Sequence, residues 1–132
     1  MSDVSWPQDL RYNREHQWVR LEGEIARSGI THFGQESLGD IVFVSLPALG
    51  ARLEAGEKLL DIESTKVIWE LFMPLGGEIV AVNQTLDSAP ELINRDPHGA
   101  GWILAIRFDD ASQIDAMLDA DDYAAFLESG AG

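Results

Sequence analysis

Only two side chains in this sequence end in a primary amine, Lys58 and Lys66; the other seven of its nine basic residues are arginines. Cysteine is absent, so no disulfide, thiolate metal site or cysteine nucleophile can form. His16, His32 and His98 are scattered without ligand spacing, and no metal site is expected. The acidic run from Asp109 to Asp122 lacks the central glycine of a calcium loop and reads as helix capping and solvation. What remains is amine chemistry. Lys66 falls between two apolar-rich runs, Lys58 to Ser64 and Val67 to Phe72, with Thr65-Lys66 at the tip of the hairpin they form. No Gly, Asn or Asp stands beside it, so ordinary turn propensity does not account for the tip. A lysine on a stiff protruding turn suits covalent carrier chemistry: the amine enters a modifying enzyme's cleft, and the attached group then visits other active sites. Lys58 follows Gly56-Glu57 at a strand start and reads as an ordinary solvated residue.

The elements that must hold this tip are mostly strands. Residues 1–15 read as polar and irregular, with Trp6-Pro7 an extended lead-in. Trp18 to Leu21 and Ile25 to Ile30 form strands around a Glu22-Gly23-Glu24 turn. Thr31 caps a short helix that stops at Leu38, with Gly39 as its terminator. Asp40 to Leu46, rich in β-branched and aromatic residues, reads as a buried strand. Glu78 to Val82 and Trp102 to Phe108 are further strands, with 83–101 loop-like between them. Ser112 is expected to cap a helix carrying Ile114, Met117 and Leu118, and a second helix spans Asp121 to Glu128 with Tyr123, Phe126 and Leu127 inward. Leu46-Pro47-Ala48-Leu49-Gly50 is echoed 27 positions later by Met73-Pro74-Leu75-Gly76-Gly77, and at the same offset Gly56 matches Asn83, two residue types that tolerate left-handed backbone. Short strands repeated in this way suggest a flattened β-sandwich.

Composition narrows the partners. The chain has 132 residues, 45% of them apolar, enough for one domain with a real core. Nine basic against 23 acidic residues give a formal net charge of −14, which argues against nucleic acid and against an anionic membrane surface. No apolar run approaches the ~20 residues of a membrane span, and Met1 to Leu10 lacks the pattern of a secretory signal. A cytoplasmic protein is expected.

Ordered blocks along the chain make the reading more specific. They are Arg11-Tyr12 with His16-Gln17-Trp18-Val19, Gly29-Ile30-Thr31, Leu38-Gly39-Asp40-Ile41-Val42-Phe43-Val44 with Leu46-Pro47, and Glu63-Ser64-Thr65-Lys66. Further on come Gly77-Glu78-Ile79-Val80 with Val82-Asn83, Pro90-Glu91-Leu92-Ile93-Asn94, Asp96-Pro97, Gly101-Trp102 and the acidic tail. Over roughly residues 11–128 the sequence resembles the H-protein family of the glycine cleavage system, whose members are lipoyl carriers. The resemblance implies a mainly β, lipoyl-domain-like barrel-sandwich hybrid with a short internal helix and C-terminal helices. It implies one domain over 1–132, with a core at about 11–108 and a helical segment at about 110–130. It makes Lys66 the lipoyl attachment residue, recognised through Glu63, Ser64, Thr65, Val67 and Trp69. Biotin carriers place their lysine between methionines; Thr65 and Val67 flank it here, which favours lipoate. The carrier itself would not be an enzyme. Lipoyl-attaching enzymes are implied partners, as are glycine decarboxylase, aminomethyltransferase and dihydrolipoamide dehydrogenase.

Two departures bear on the pathway. Small residues usually follow the lysine in the family, where this chain has Val67-Ile68-Trp69. The family's His-Glu-Trp is His16-Gln17-Trp18, and in the family that glutamate helps hold the ammonium of an aminomethyl intermediate. An amide offers no charge to an ammonium. Glu15 would face elsewhere if the segment is extended. The family's second acidic partner is matched by Glu70, so His16, Gln17 and Glu70 are candidate contacts for the arm or its cargo. On the loss of the carboxylate, the reading favoured from sequence is a specialised lipoate-binding protein serving a heterodisulfide-reductase-like complex in sulfur oxidation. A glycine cleavage carrier of the aminomethyl group is the alternative, followed by a non-lipoylated docking module that uses Trp69.

Overall fold

The computed structural model describes residues 6–130. The outermost parts of the expected 1–132 domain, and all of the lead-in before Trp6, lie outside the described residues.

Two antiparallel sheets face each other. The larger contains β1 (Arg11–Tyr12), β2 (Gln17–Glu22), β3 (Ile25–Ile30), β5 (Arg52–Leu53), β8 (Gly77–Val82) and β9 (Leu104–Phe108), in the order β1-β2-β3-β9-β8-β5. The smaller contains β4 (Ile41–Val44), β6 (Lys58–Ser64) and β7 (Ile68–Phe72), in the order β4-β6-β7. Alternation along β6 sends Leu60 and Ile62 inward and leaves Asp61 and Glu63 on the outer face. Leu60 and Ile62 meet Ile30, Leu71, Ile79, Ile93, Leu104 and Ile106 in the main core. Each such aliphatic side chain, fully buried, contributes about 1.5–3 kcal/mol. This is the expected mainly β sandwich.

The helix α1 (His32–Leu38) begins and ends where the sequence indicates. Thr31 Oγ1 accepts from the Gly34 amide at 3.1 Å, and Gly39, at φ +80°, donates its amide to the Gln35 carbonyl. The strand read as Asp40 to Leu46 is shorter and only half buried. A bulge between Ile41 and Phe43 puts Val42 and Phe43 side by side on the outer face, 54% and 49% exposed, while Ile41 and Val44 enter the core.

Other expectations are corrected. The polar N-terminal stretch contains β1, paired to Trp18 and Val19, and buries Trp6 and Leu10. Residues 83–101 hold a 3-10 turn at Gln84–Asp87 and α2 (Leu92–Arg95), which bury Leu86 and Ile93. Asn83 stands at φ −84°, not in the left-handed region of Gly56; its side-chain amide donates to the carbonyls of Ala100 and Trp102. Ser112 lies inside the single-turn α3 (Ser112–Asp115) and gives it no side-chain cap. Its amide and hydroxyl instead donate to Asp110. The last helix, α4 (Ala120–Glu128), is capped by Asp119, which accepts from the Asp122 amide at 2.8 Å. Tyr123 is fully buried from α4, with Phe126 and Leu127 half-buried beside it. Among the described residues no helix is long and apolar enough to cross a membrane.

Candidate functional site

The hairpin of β6 and β7 closes over three residues, and one hydroxyl organises the closure. The Ser64 amide donates to the Val67 carbonyl at 2.8 Å, while Ser64 Oγ accepts from the amides of Lys66 (3.2 Å) and Val67 (3.1 Å). The turn chemistry that looked missing from the sequence is therefore supplied by Ser64. The Thr65 amide donates to the Asp40 carbonyl at 3.0 Å, tying the tip to the end of α1. Lys66 is exposed, and its stem crosses Gly39: a β-carbon there would lie 3.3 Å from Lys66 Cε. Gly39 is held in turn by Asn94. The Asn94 amide donates to the Gly39 carbonyl and to Gln35 Oε1, and its oxygen accepts from the Ile41 amide. Among the described residues no carboxylate pairs with the Lys66 ammonium.

Beside the tip runs an apolar groove of about 320 Å³, lined by Phe33, Leu38, Val67, Ile68, Trp69 and His16. It matches the acyl chain of a lipoyl group in character. A free amine on a fixed turn next to an apolar channel fits the cofactor that the sequence resemblance implies. Glu63 sits on the outer face of the small sheet, between Phe43 and Ile68 on one rung.

His16 also lines the groove. It has φ 63°, the one non-glycine in the left-handed region among the described residues. Its Nδ1 lies 2.8 Å from Tyr123 Oη, which lies 2.8 Å from Thr31 Oγ1. One consistent arrangement has Thr31 Oγ1 accept from Gly34 and donate to Tyr123 Oη, which donates to Nδ1 of a neutral His16. Burial holds the His16 imidazole below its ordinary pKa and pushes the Tyr123 phenol up to about 12.

Gln17 and Glu70 are each committed to other partners. Gln17 is 1% exposed and both ends of its amide are committed: Nε2 donates to the Phe72 carbonyl and Oε1 accepts from Asn13, each at 2.7 Å. Glu70 pairs with Lys58 at 3.2 Å, and Asp61 pairs with the same ammonium at 3.1 Å. Lys58 is thus the centre of an ion-pair cluster, which raises its pKa, and not a merely solvated residue. Glu15, expected to face away, lines a second cavity of about 400 Å³ together with Gln17, Gly56 and Phe72. Residues two apart share one face of an extended segment, so alternation does not separate Glu15 from Gln17, and residues 13–16 in any case form a turn. Asn13 Oδ1 accepts from the amides of both Glu15 and Gln17 at 3.0 Å. The asparagine and the following polar run were the signal for that turn.

Of the tryptophans, Trp18 is core, with its indole nitrogen donating to the Pro97 carbonyl. Trp102 is half-buried under the Arg27 guanidinium, 4.2 Å from the ring centroid. Among the described residues no three His, Cys, Asp or Glu side chains gather as metal ligands.

A sequence model described as "Glycine cleavage H-protein" matches residues 10–130. The chain belongs to the glycine cleavage H-protein family. The glycine cleavage system H protein of Bacteroides thetaiotaomicron is 50% identical over 124 residues, spanning 94% of this chain and 98% of its own. That of Bacillus subtilis is 48% identical over 120 residues, 91% of this chain and 94% of its own. The crystal structure of a glycine cleavage system H protein from Mycobacterium marinum superposes with a TM-score of 0.85 at 35% identity, covering 93% of this chain and 99% of that one. H proteins carry lipoate and have no catalytic activity of their own, and their fold is the lipoyl-domain-like barrel-sandwich seen here. These relatives favour the glycine cleavage reading over the sulfur-oxidation reading drawn from Gln17.

Proposed function

We propose that this H-protein family member is the cytoplasmic lipoyl carrier of a glycine cleavage system, with lipoate joined to Lys66 Nζ through an amide and an aminomethyl group as its cargo. The observation that carries this reading is Lys66, exposed and without an ion-pair partner among the described residues, set on the Ser64 turn above Gly39 and beside an apolar groove. When bound, lipoate supplies the disulfide and dithiol chemistry that a chain without cysteine lacks. The protein's own part is positional. Ser64 and Thr65 fix the turn, Glu63 and the exposed Val67 and Ile68 surround it for an attaching enzyme, and Trp69 walls the groove. The partners on this reading are lipoyl-attaching enzymes, glycine decarboxylase, aminomethyltransferase and dihydrolipoamide dehydrogenase.

Intact-mass analysis after incubation with a lipoyl-attaching enzyme tests the site. One lipoyl addition is expected on the unmodified chain and none on Lys66→Arg, whose guanidinium is no amine nucleophile. Addition at Lys58 would overturn the assignment. Glycine-dependent loading by glycine decarboxylase tests the pathway, and a lipoylated chain that takes no aminomethyl group would refute it.

A further inference from the structure

The hairpin tip rests on three consecutive residues, and each of them meets one residue of the tip. The Lys66 stem crosses Gly39. The Asp40 carbonyl accepts from the Thr65 amide at 3.0 Å. Ile41 is the cross-strand partner of Ser64.

Asn94 holds both ends of this support. Its side-chain nitrogen donates to the Gly39 carbonyl at 2.8 Å and to Gln35 Oε1 at 2.9 Å, and its Oδ1 accepts from the Ile41 amide at 2.9 Å. Both donors and the acceptor of the amide are thus engaged. Each bond answers a local need. Gly39 follows the last turn of α1, where carbonyls lack partners within the helix. β4 is an edge strand of the small sheet, and Asn94 supplies an acceptor at that edge. Asn94 is itself rooted: it stands in α2, whose Ile93 is fully buried in the main core. Its partner Gln35 is buried, with Nε2 3.2 Å from His32 Nδ1. A fixed α2 therefore passes its position to Gly39 and Ile41, and through them to the tip.

We infer that Asn94 is a positioning residue for Lys66, which sets the orientation in which the hairpin tip meets a lipoyl-attaching enzyme. This inference rests on the lipoyl-carrier reading. Asn94 acts on the backbone beneath the tip and not on the amine.

Amide exchange and attachment kinetics on the full chain test it. Asn94→Ala should speed exchange of the Thr65 amide about two- to tenfold relative to the Met73 amide, the range of one lost hydrogen bond. The Met73 amide is the reference because it donates to the Glu57 carbonyl at the opposite end of the hairpin, at 2.8 Å. A general loss of stability would speed both amides alike. Asn94→Asp keeps the shape and the acceptor for Ile41 but has no donor for Gly39, and should move the ratio in the same direction. Ile93→Val removes a buried methyl from the core next to Asn94 and should leave the ratio unchanged. With the attaching enzyme, KM for the Asn94→Ala carrier should rise by a similar factor, because fewer chains hold the tip ready to bind, while kcat stays the same. A Thr65-to-Met73 ratio equal to the parent's in both Asn94 variants, an equal shift in Ile93→Val, or an unchanged KM would each overturn the assignment while leaving the carrier function standing. Failure of the unmutated protein to accept lipoate at Lys66 would instead remove the reading beneath it.

Discussion

The aliphatic stem of Lys66 rests across Gly39, so the reactive amine of the β6–β7 hairpin is set by a residue 27 positions earlier, at the end of α1. Gly39→Ala places a β-carbon against Lys66 Cε and forces a side chain to φ +80°. At φ +80° and ψ −154°, a region almost reserved for glycine, a side chain costs about 1–3 kcal/mol. Lipoylation of Gly39→Ala should slow under conditions where circular dichroism shows the fold intact. An attachment rate equal to that of the unmutated chain would separate the two residues functionally.

Ser64→Ala removes the acceptor for two tip amides. These groups can turn to water, so the loss of stability should stay within about 1 kcal/mol in urea unfolding. The tip amides of Lys66 and Val67 should exchange with solvent faster, and attachment should slow through a raised KM for the carrier. Equal exchange rates in the two proteins would show that the hydroxyl does not order the turn.

Placing the family's glutamate at position 17 should destabilise this chain. Gln17→Glu sets a carboxylate oxygen against the Phe72 carbonyl that Gln17 Nε2 now serves at 2.7 Å, in a fully buried position. A lost buried partner costs about 1–3 kcal/mol, and more when a charge is involved. The substitution should lower the unfolding midpoint, and the added carboxyl should titrate above the ordinary range. A stability equal to the parent's would mean that the surrounding groups reorganise.

Tyr123→Phe removes the hydroxyl between His16 and Thr31 while keeping the ring stacked on Tyr12 at 4.7 Å. A destabilisation of about 1–3 kcal/mol is expected, read by urea unfolding. The His16 ring signals should shift in NMR, because Nδ1 loses its hydroxyl partner. Unmoved signals would place the histidine outside the chain of donors.

Acid stability should depend on His98. Its imidazole is pulled from 6.5 down to about 4, first by burial and then by His32, and its Nε2 accepts from the His32 amide. Between these two values the unfolded chain binds a proton that the folded protein refuses, so stability rises with pH. The contribution is complete above about 6.5 and is lost as pH falls toward about 4. A plot of Tm against pH should be flatter for His98→Gln across that window; parallel curves would assign the acid sensitivity to other groups.

What could be read from sequence had local causes. The cap at Thr31, the stop at Gly39, the Gly23 turn and the two runs around Lys66 each announce themselves within a few residues. What could not be read depends on partners distant in the chain. β1 is two residues long and exists because Trp18 and Val19 pair with it. Val42 and Phe43 face outward because of a bulge that composition does not encode. Glu15 and Gln17 stand two apart and share one cavity, and the turn closed on Asn13 that sets them there shows only in the fold. Lys58 meets Glu70 only once β6 and β7 have paired.

The two-way backbone bridge between Tyr12 and Leu118, at 2.8 and 2.7 Å, joins the beginning of the fold to its end. Tyr123 then stacks on Tyr12 and covers Trp6. During synthesis, the β6–β7 hairpin and its lysine leave the ribosome well before this aromatic cluster can close. Trp6, Tyr12 and Trp18 wait uncovered until the last helix emerges, a period in which a nascent chain of this kind needs protection from aggregation.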